Sequence, residues 1–230
     1  MYILLVDDDR NMNSMLKYWL SKESFEVESC DCARNAIALI QDQEPDLIIL
    51  DVVMPYMSGF ELIGKLRRDG YEMPVVFLTG RSTQEDILRG FELGAEDYIL
   101  KPFGPRELLA RIKVITRRIE KQEKSVRTQR IRAGSFELLA GELKLLTPKR
   151  STIFLTPTEM QILRELMIDP DNIIHRDQLL SAIWNNDEDN NNSNVVNVYI
   201  HRLRTKLEDD TNNPKHIISV RGSGYKFVAQ

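Results

Sequence analysis

Tyr2-Ile-Leu-Leu-Val6 followed by Asp7-Asp8-Asp9, and Leu47-Ile-Ile-Leu50 followed by Asp51, are two short apolar runs that each end on acid. A third, Tyr98-Ile-Leu100, ends on Lys101-Pro102. Runs of three to five β-favouring residues, separated by helix-length amphipathic stretches, predict parallel strands of a doubly wound sheet. In such sheets the carboxyl ends of the strands converge on one crevice, where ligands bind. Asp7, Asp8, Asp51 and Lys101 therefore meet at one edge, a place to bind a divalent cation and carry phosphoryl chemistry.

Working outward, strands are expected at about 2–6, 26–30, 47–50, 75–78 and 98–100. Helices are expected near 10–22, 33–42, 59–69, 83–93 and 105–119. Five βα units fit an α/β flavodoxin-like sheet, in which the first and third strands are neighbours. Thr79, after Val75-Val-Phe-Leu78, adds a hydroxyl to the same edge. A flavin carrier of this fold would need a phosphate-cradling loop rich in Ser, Thr or Gly after the first strand. Three aspartates there repel a phosphate, which excludes it.

The chain of 230 residues suggests one or two domains, at ~100–200 residues per domain. No apolar stretch approaches the ~20 residues of a membrane span, and no basic leader with a cleavage site precedes the first strand, so a cytoplasmic protein is expected. Cys30 and Cys32 match no metal or redox spacing and read as free thiols. The net charge of −4 is uneven: residues 1–120 carry 15 basic and 21 acidic side chains, residues 121–230 carry 16 and 14. The second half is the better partner for a polyanion.

The residue types suit the chemistry. Hard cations such as Mg²⁺ prefer carboxylate and carbonyl oxygens. Crowded carboxylates are poorly tolerated until a cation offsets them. Asp51 could then attack a phosphoryl group, with Lys101 stabilising its oxygens and Thr79 donating to it. Taken singly, each residue has a blander job: Asp7 to Asp9 as helix caps, Asp51 as a turn residue, Lys101 as a solvated charge, Tyr98 as core. Their joint placement at four strand ends is what argues for a site.

Val6-Asp7-Asp8-Asp9, Leu50-Asp51-Val52-Val53-Met54-Pro55, Leu78-Thr79-Gly80 and Asp97-Tyr98-Ile99-Leu100-Lys101-Pro102-Phe103 together resemble the receiver domain of two-component response regulators. The resemblance implies that Asp51 is the phosphoacceptor and that Asp7 and Asp8 organise Mg²⁺, with the backbone carbonyl of Val53 completing the protein's share. It makes Thr79 and Tyr98 a switch pair, Lys101 the phosphate contact and Lys101–Pro102 a cis peptide. It implies a homodimer when phosphorylated, with Asp97 facing Arg111 and Glu96 facing Arg118 across a two-fold axis. A third pair would set a base at position 87 against Glu107, but the chain has Ile87.

Beyond a charged linker (120–131), Gly134 and Gly141 punctuate short apolar runs at 136–139, 143–146 and 151–155, predicting a small antiparallel sheet. Thr156-Pro157-Thr158-Glu159 starts a helix running to Met167, with a cap, a proline in the first turn and Glu at the third position. Arg176–Trp184 gives a second helix and about 194–207 a third. In the third, Val196, Ile200, Leu203 and Leu207 line the buried side, with Tyr199 at its margin. Asn194, Asn197, Val198, His201, Arg202 and Thr205 are expected opposite, flanked by Arg204 and Lys206. Amides, imidazole, guanidinium and an exposed valine can read base edges, although a charged helix face is also an ordinary solvated surface.

Leu155-Thr-Pro-Thr-Glu159, Arg176-Asp-Gln-Leu-Leu180, Ile200-His-Arg-Leu-Arg-Thr-Lys-Leu207 and Val220-Arg-Gly-Ser-Gly-Tyr225 resemble the winged-helix effector domain of OmpR/PhoB-type regulators. Residues 1–119 then form a receiver and 132–230 an α+β winged helix-turn-helix domain. The resemblance puts Asn194 to Lys206 in the major groove of double-stranded DNA and makes the hairpin ending at 217–227 the wing. Arg221 would reach the minor groove or backbone, and Arg202, Arg204, Lys206 and Lys226 are phosphate or base contacts for geometry to sort. Many members carry Arg and Asp where this chain has Asn194 and Asn197, so base preference does not transfer. In the family the loop at 185–194 can contact RNA polymerase; here it is Asn-rich and polar.

The expected protein is a transcription regulator, phosphorylated by a sensor histidine kinase and binding a direct-repeat site. One rival is a DNA-binding regulator whose receiver no longer switches. The other is an enzyme, a phosphotransferase or phosphatase with an aspartyl intermediate, which would leave the second half unexplained.

Overall fold

The computed structural model describes residues 1–125, 130–149, 151–184 and 194–229. These divide into two compact units, Met1–Thr116 and Arg117–Gln230.

In the first unit, β1 (Tyr2–Val6), β2 (Glu26–Cys30), β3 (Leu47–Leu50), β4 (Val75–Thr79) and β5 (Asp97–Leu100) form one parallel sheet in the order β2-β1-β3-β4-β5. The connecting helices are α1 (Arg10–Lys22), α2 (Ala33–Asp42), α3 (Gly59–Arg68), α4 (Gln84–Glu92) and α5 (Pro105–Ser125). Every residue of β1, β3 and β4 is buried, which explains their unbroken apolar runs: helices cover both faces of a parallel sheet. Helix starts are written locally. Asp9 accepts from the amides of Asn11 and Met12 ahead of α1, Ser58 and Glu61 form a capping box on α3, and Thr83 caps α4. Leu16 and Leu20 of α1, Ala36 and Ile40 of α2, and Phe60, Leu62, Ile63 and Leu66 of α3 bury the faces that meet the sheet.

The second unit takes in the last turns of α5, from Arg117, and then an antiparallel sheet, β6 (Arg130–Ala133), β7 (Phe136–Leu139), β8 (Lys144–Leu146) and β9 (Thr152–Phe154), in sequence order. Helices α6 (Pro157–Ile168), α7 (Arg176–Trp184) and α8 (Asn194–Leu207) follow. A two-residue strand β10 (Ile174–His175) joins the hairpin β11 (Ile217–Val220) and β12 (Gly224–Phe227) in a three-stranded sheet ordered β10-β12-β11. The stretch read as linker is occupied at both ends: α5 continues to Ser125, and β6 begins at Arg130. Strand β6 escaped notice because Arg-Ile-Arg-Ala buries only Ala133 fully. Its pairing with β7, not its composition, makes it a strand.

Candidate functional site

The topology delivers the first cluster. Adjacent β1 and β3 align Val6 with Leu50, and the Asp51 amide donates to the Val6 carbonyl at 2.8 Å. Asp7, Asp8 and Asp51 thereby bring one carboxylate oxygen each within 4.8 Å of the others. Asp7 and Asp51 are buried, while Asp8 is exposed. From β5, the Lys101 ammonium reaches Asp7 Oδ2 at 2.7 Å and Asp51 Oδ2 at 3.2 Å. The Lys101–Pro102 peptide is cis, as the sequence resemblance implied. Gly59 lets α3 begin hard against this loop, because a Cβ there would meet the Asp51 carbonyl oxygen.

The electrostatics follow from burial. Desolvation pushes the Asp7 carboxyl above its ordinary pKa, and the Lys101 hydrogen bond and the Asp9 amide (2.9 Å) only partly oppose it. Burial alone would pull Lys101 down, but its bond to Asp7 and the charges of Asp51 and Asp7 overcome that and raise it. One ammonium against three carboxylates leaves the cluster with surplus negative charge. All its donors are hard oxygens, so a divalent cation with retained waters fits this set.

Thr79 at the end of β4 is fully buried, and its Oγ1 accepts from the Arg81 amide at 3.3 Å. The Tyr98 hydroxyl donates to the Arg81 carbonyl at 3.0 Å, and its ring is buried. The backbone of Arg81 thus joins the two residues paired in the sequence reading. Sequence gave no sign of it, since a main-chain amide and carbonyl carry no side-chain signature. Burial raises the Tyr98 phenol's pKa further, so it stays a donor. Asn13 was also missed. It lies on the buried side of α1 and donates from Nδ2 to the Asp7 carbonyl at 2.8 Å, holding the acidic turn.

Gly90 of α4 makes room for the Tyr98 ring. A Cβ at Gly90 would approach Tyr98 at 2.9 Å and Phe77 at 3.2 Å. Gly90→Ala is expected to destabilise this unit by about 1–3 kcal/mol, the usual cost of overpacking. Denaturant unfolding should show it, with faster amide exchange in α4 and β5. An unchanged midpoint would mean that α4 shifts aside without cost.

The charged residues expected at a dimer surface make contacts within the single chain described. Asp97 is buried; it accepts the Tyr98 amide at 2.7 Å and pairs with Arg111 of the same chain at 3.3 Å. Arg111 also meets Glu107 at 3.5 Å. Glu96 is buried rather than displayed. The Arg118 side chain lies outside the described residues.

In the second unit, Glu159 corrects the reading of α8. Its carboxylate is fully buried at the start of α6, where it accepts the Thr156 amide at 2.9 Å in a capping box. Arg202 was expected on the solvent side, but it is 8 % exposed and meets Glu159 Oε1 at 2.7 Å. Lys206 meets Oε2 and the Phe154 carbonyl, both at 2.9 Å. A buried carboxylate draws both cations inward, since an uncompensated charge there is costly. Arg204 turns toward the hairpin, donating to the Ile217 carbonyl at 2.7 Å and Ser219 Oγ at 2.9 Å. Tyr199 is fully buried and not marginal.

What α8 leaves outward is a stripe at helical spacing: Asn194, His201 and Thr205 exposed, Asn197 and Val198 half-buried. Arg221 is exposed at the hairpin turn and Lys226 half-buried on β12. The loop at 185–193 lies outside the described residues. No helix among the described residues is long and apolar enough to cross a membrane.

Residues 3–113 match the family model for a response regulator receiver domain, and residues 150–227 the model for the C terminal of transcriptional regulatory proteins. The alkaline phosphatase synthesis transcriptional regulatory protein PhoP of Bacillus subtilis is 36% identical over 231 residues, covering 98% of this chain and 95% of that protein. The DNA-binding response regulator MtrA of Mycolicibacterium smegmatis is 35% identical over 224 residues, covering 97% and 95%. Among solved structures, a mutant of RitR superimposes with a TM-score of 0.78 at 28% identity, covering 100% of this chain and 99% of that one.

Proposed function

This chain belongs to the two-component response regulators, DNA-binding transcription regulators that join a receiver domain to a transcriptional regulatory domain, and from that premise we propose that phosphorylation of Asp51 by a sensor histidine kinase sets how tightly it holds DNA. The observation that carries the proposal is the buried Asp7–Asp51–Lys101 cluster, with an ammonium 3.2 Å from the accepting carboxylate.

An Asp51 carboxylate oxygen attacks the phosphorus of a phosphohistidine. The O–P bond forms as the P–N bond breaks, and the departing imidazole keeps the electron pair and takes a proton from water. Lys101 donates to the incoming phosphoryl oxygens, where charge is greatest. Asp7, Asp8, Asp51 and the Val53 carbonyl would hold Mg²⁺, which supplies the positive charge that offsets carboxylates and phosphoryl group. The chain catalyses no reaction but this self-modification and its hydrolysis. Thr79 then gives up the Arg81 amide to donate to the phosphoryl group, and loop 80–82 with Tyr98 follows. That biases a two-state surface on α4, β5 and α5 toward a homodimer, which sets two α8 helices on repeated half-sites. The loop at 185–193 is the candidate contact for RNA polymerase.

A second reading, a DNA-binding regulator whose receiver does not switch, draws on Asp97 and Arg111 being satisfied within one chain and on Ile87. The same measurement separates the two. A small-molecule phosphodonor with Mg²⁺ should label the chain and tighten binding to a tandem site roughly 5–150-fold, the usual range for coupled sites. A chelator should abolish labelling and leave the lower affinity. Labelling without any change in affinity selects the non-switching receiver; no labelling at all removes the phosphoacceptor assignment.

A further inference from the structure

We propose that the phenol of Tyr225 pins the amide of Asn197 with its amino group outward, so that α8 reads guanine rather than adenine at the base pair facing Asn197. The inference rests on α8 being the base-reading helix. It concerns which of two hydrogen-bonding faces that helix presents.

An unconstrained asparagine matches adenine, donating from Nδ2 to N7 and accepting from the N6 amino group at Oδ1. Asn197 is not unconstrained. Its Oδ1 accepts the Tyr225 hydroxyl at 2.7 Å, a contact from the hairpin strand β12 to the helix 28 residues earlier. Tyr225 is 4 % exposed, and among the described residues Asn197 is its hydroxyl's only hydrogen-bond partner. A phenol has one proton to donate. Turning the amide round would leave that proton without an acceptor in a nearly enclosed position, an unfavourable arrangement. Arg176 lies over the face of the Tyr225 ring at 5.7 Å and helps hold the ring in place.

With Oδ1 committed, the outward end of Asn197 is Nδ2, which has donors and no acceptor. Guanine offers two acceptors, N7 and O6, in the major groove, whereas adenine sets its N6 donor beside N7. The adenine amino group would meet the Asn197 amino group hydrogen to hydrogen. Tyr225 is thus a positioning residue that acts through Asn197.

Selection from a randomised duplex library with the phosphorylated full-length protein tests this. Wild type should favour guanine over adenine at one position per half-site by roughly tenfold, the scale of one base-edge pairing. Asn197→Ala should flatten that position alone. Tyr225→Phe, which keeps the ring, should move it from guanine to adenine. Asn197→Asp should move it to cytosine, whose N4 amino group donates to a carboxylate. If Tyr225 were only structural, Tyr225→Phe would weaken all sequences evenly and keep guanine, which overturns the proposal; so does a wild-type preference for adenine there. Should Tyr225→Phe not fold, Asn197→Asp decides, and retained guanine refutes the proposal. If wild type enriches no sequence, the DNA-reading assignment itself falls and takes this one with it.

Discussion

Asp51→Asn is expected to abolish phosphoryl incorporation, lowering it by at least roughly a hundredfold, because a carboxamide oxygen is a far weaker nucleophile than a carboxylate. The substitution is close to isosteric and leaves Asp7 with Lys101 at 2.7 Å, so the lost chemistry will not reflect a lost fold. Stability should stay level or rise by up to about 1 kcal/mol in metal-free buffer, since one of several mutually repelling carboxylates is gone. DNA affinity should remain at the unphosphorylated level with or without donor. Labelling, unfolding and tandem-site binding measured on one preparation check all three. A labelled Asp51→Asn protein would move the acceptor elsewhere in the cluster, to Asp7 or Asp8.

The acidic site was legible because main-chain geometry placed it. Asp7, Asp51, Thr79 and Lys101 each end an apolar strand, and strand order alone brings β1, β3, β4 and β5 side by side. No side-chain direction had to be guessed. The second unit was harder, because the function of α8 depends on which way long side chains turn. Helical periodicity placed Arg202 outward, yet periodicity records only Cβ direction. Glu159 had announced itself as the far end of a capping box, which accounts for the bond to Thr156. That its carboxylate also holds a lysine 47 positions along the chain has no local signature. Asp97 and Arg111 are a related case: they meet at 3.3 Å within this chain, and complementary charges in a sequence do not say whether they close within one chain or between two. Asn13 and Arg81 complete the site through backbone partners, which composition does not reveal.

Glu159→Gln is expected to destabilise the second unit by about 3–5 kcal/mol, the cost of removing one partner from a buried ion pair. The amide oxygen can still accept the Thr156 amide, so the cap survives and the charge alone is lost. Arg202 and Lys206 then lose the Glu159 charge at positions where their side chains are only 10% and 22% exposed. The pH dependence carries a definite sign. Burial pushes the Glu159 carboxyl up, but the charges of Arg202 and Lys206, with the Thr156 amide, outweigh it and hold the folded-state pKa below the ordinary 4.5. A depressed carboxyl pKa contributes stability that is complete above the unfolded value and disappears as pH falls through the folded one. The gap between wild type and Glu159→Gln should therefore be constant at neutral pH and begin to close below pH 4.5. Denaturant unfolding with hydrogen exchange resolved over 194–207 reads both effects. Adding Arg202→Met should recover part of the loss, because the two sites act as one unit. A loosened α8 should also lower affinity for every DNA sequence alike, unlike the base-selective effect of Tyr225→Phe. If Glu159→Gln leaves exchange in α8 unchanged at pH 7, the buried triad does not hold that helix, and Arg202 and Lys206 return to the list of residues that can turn outward to phosphate.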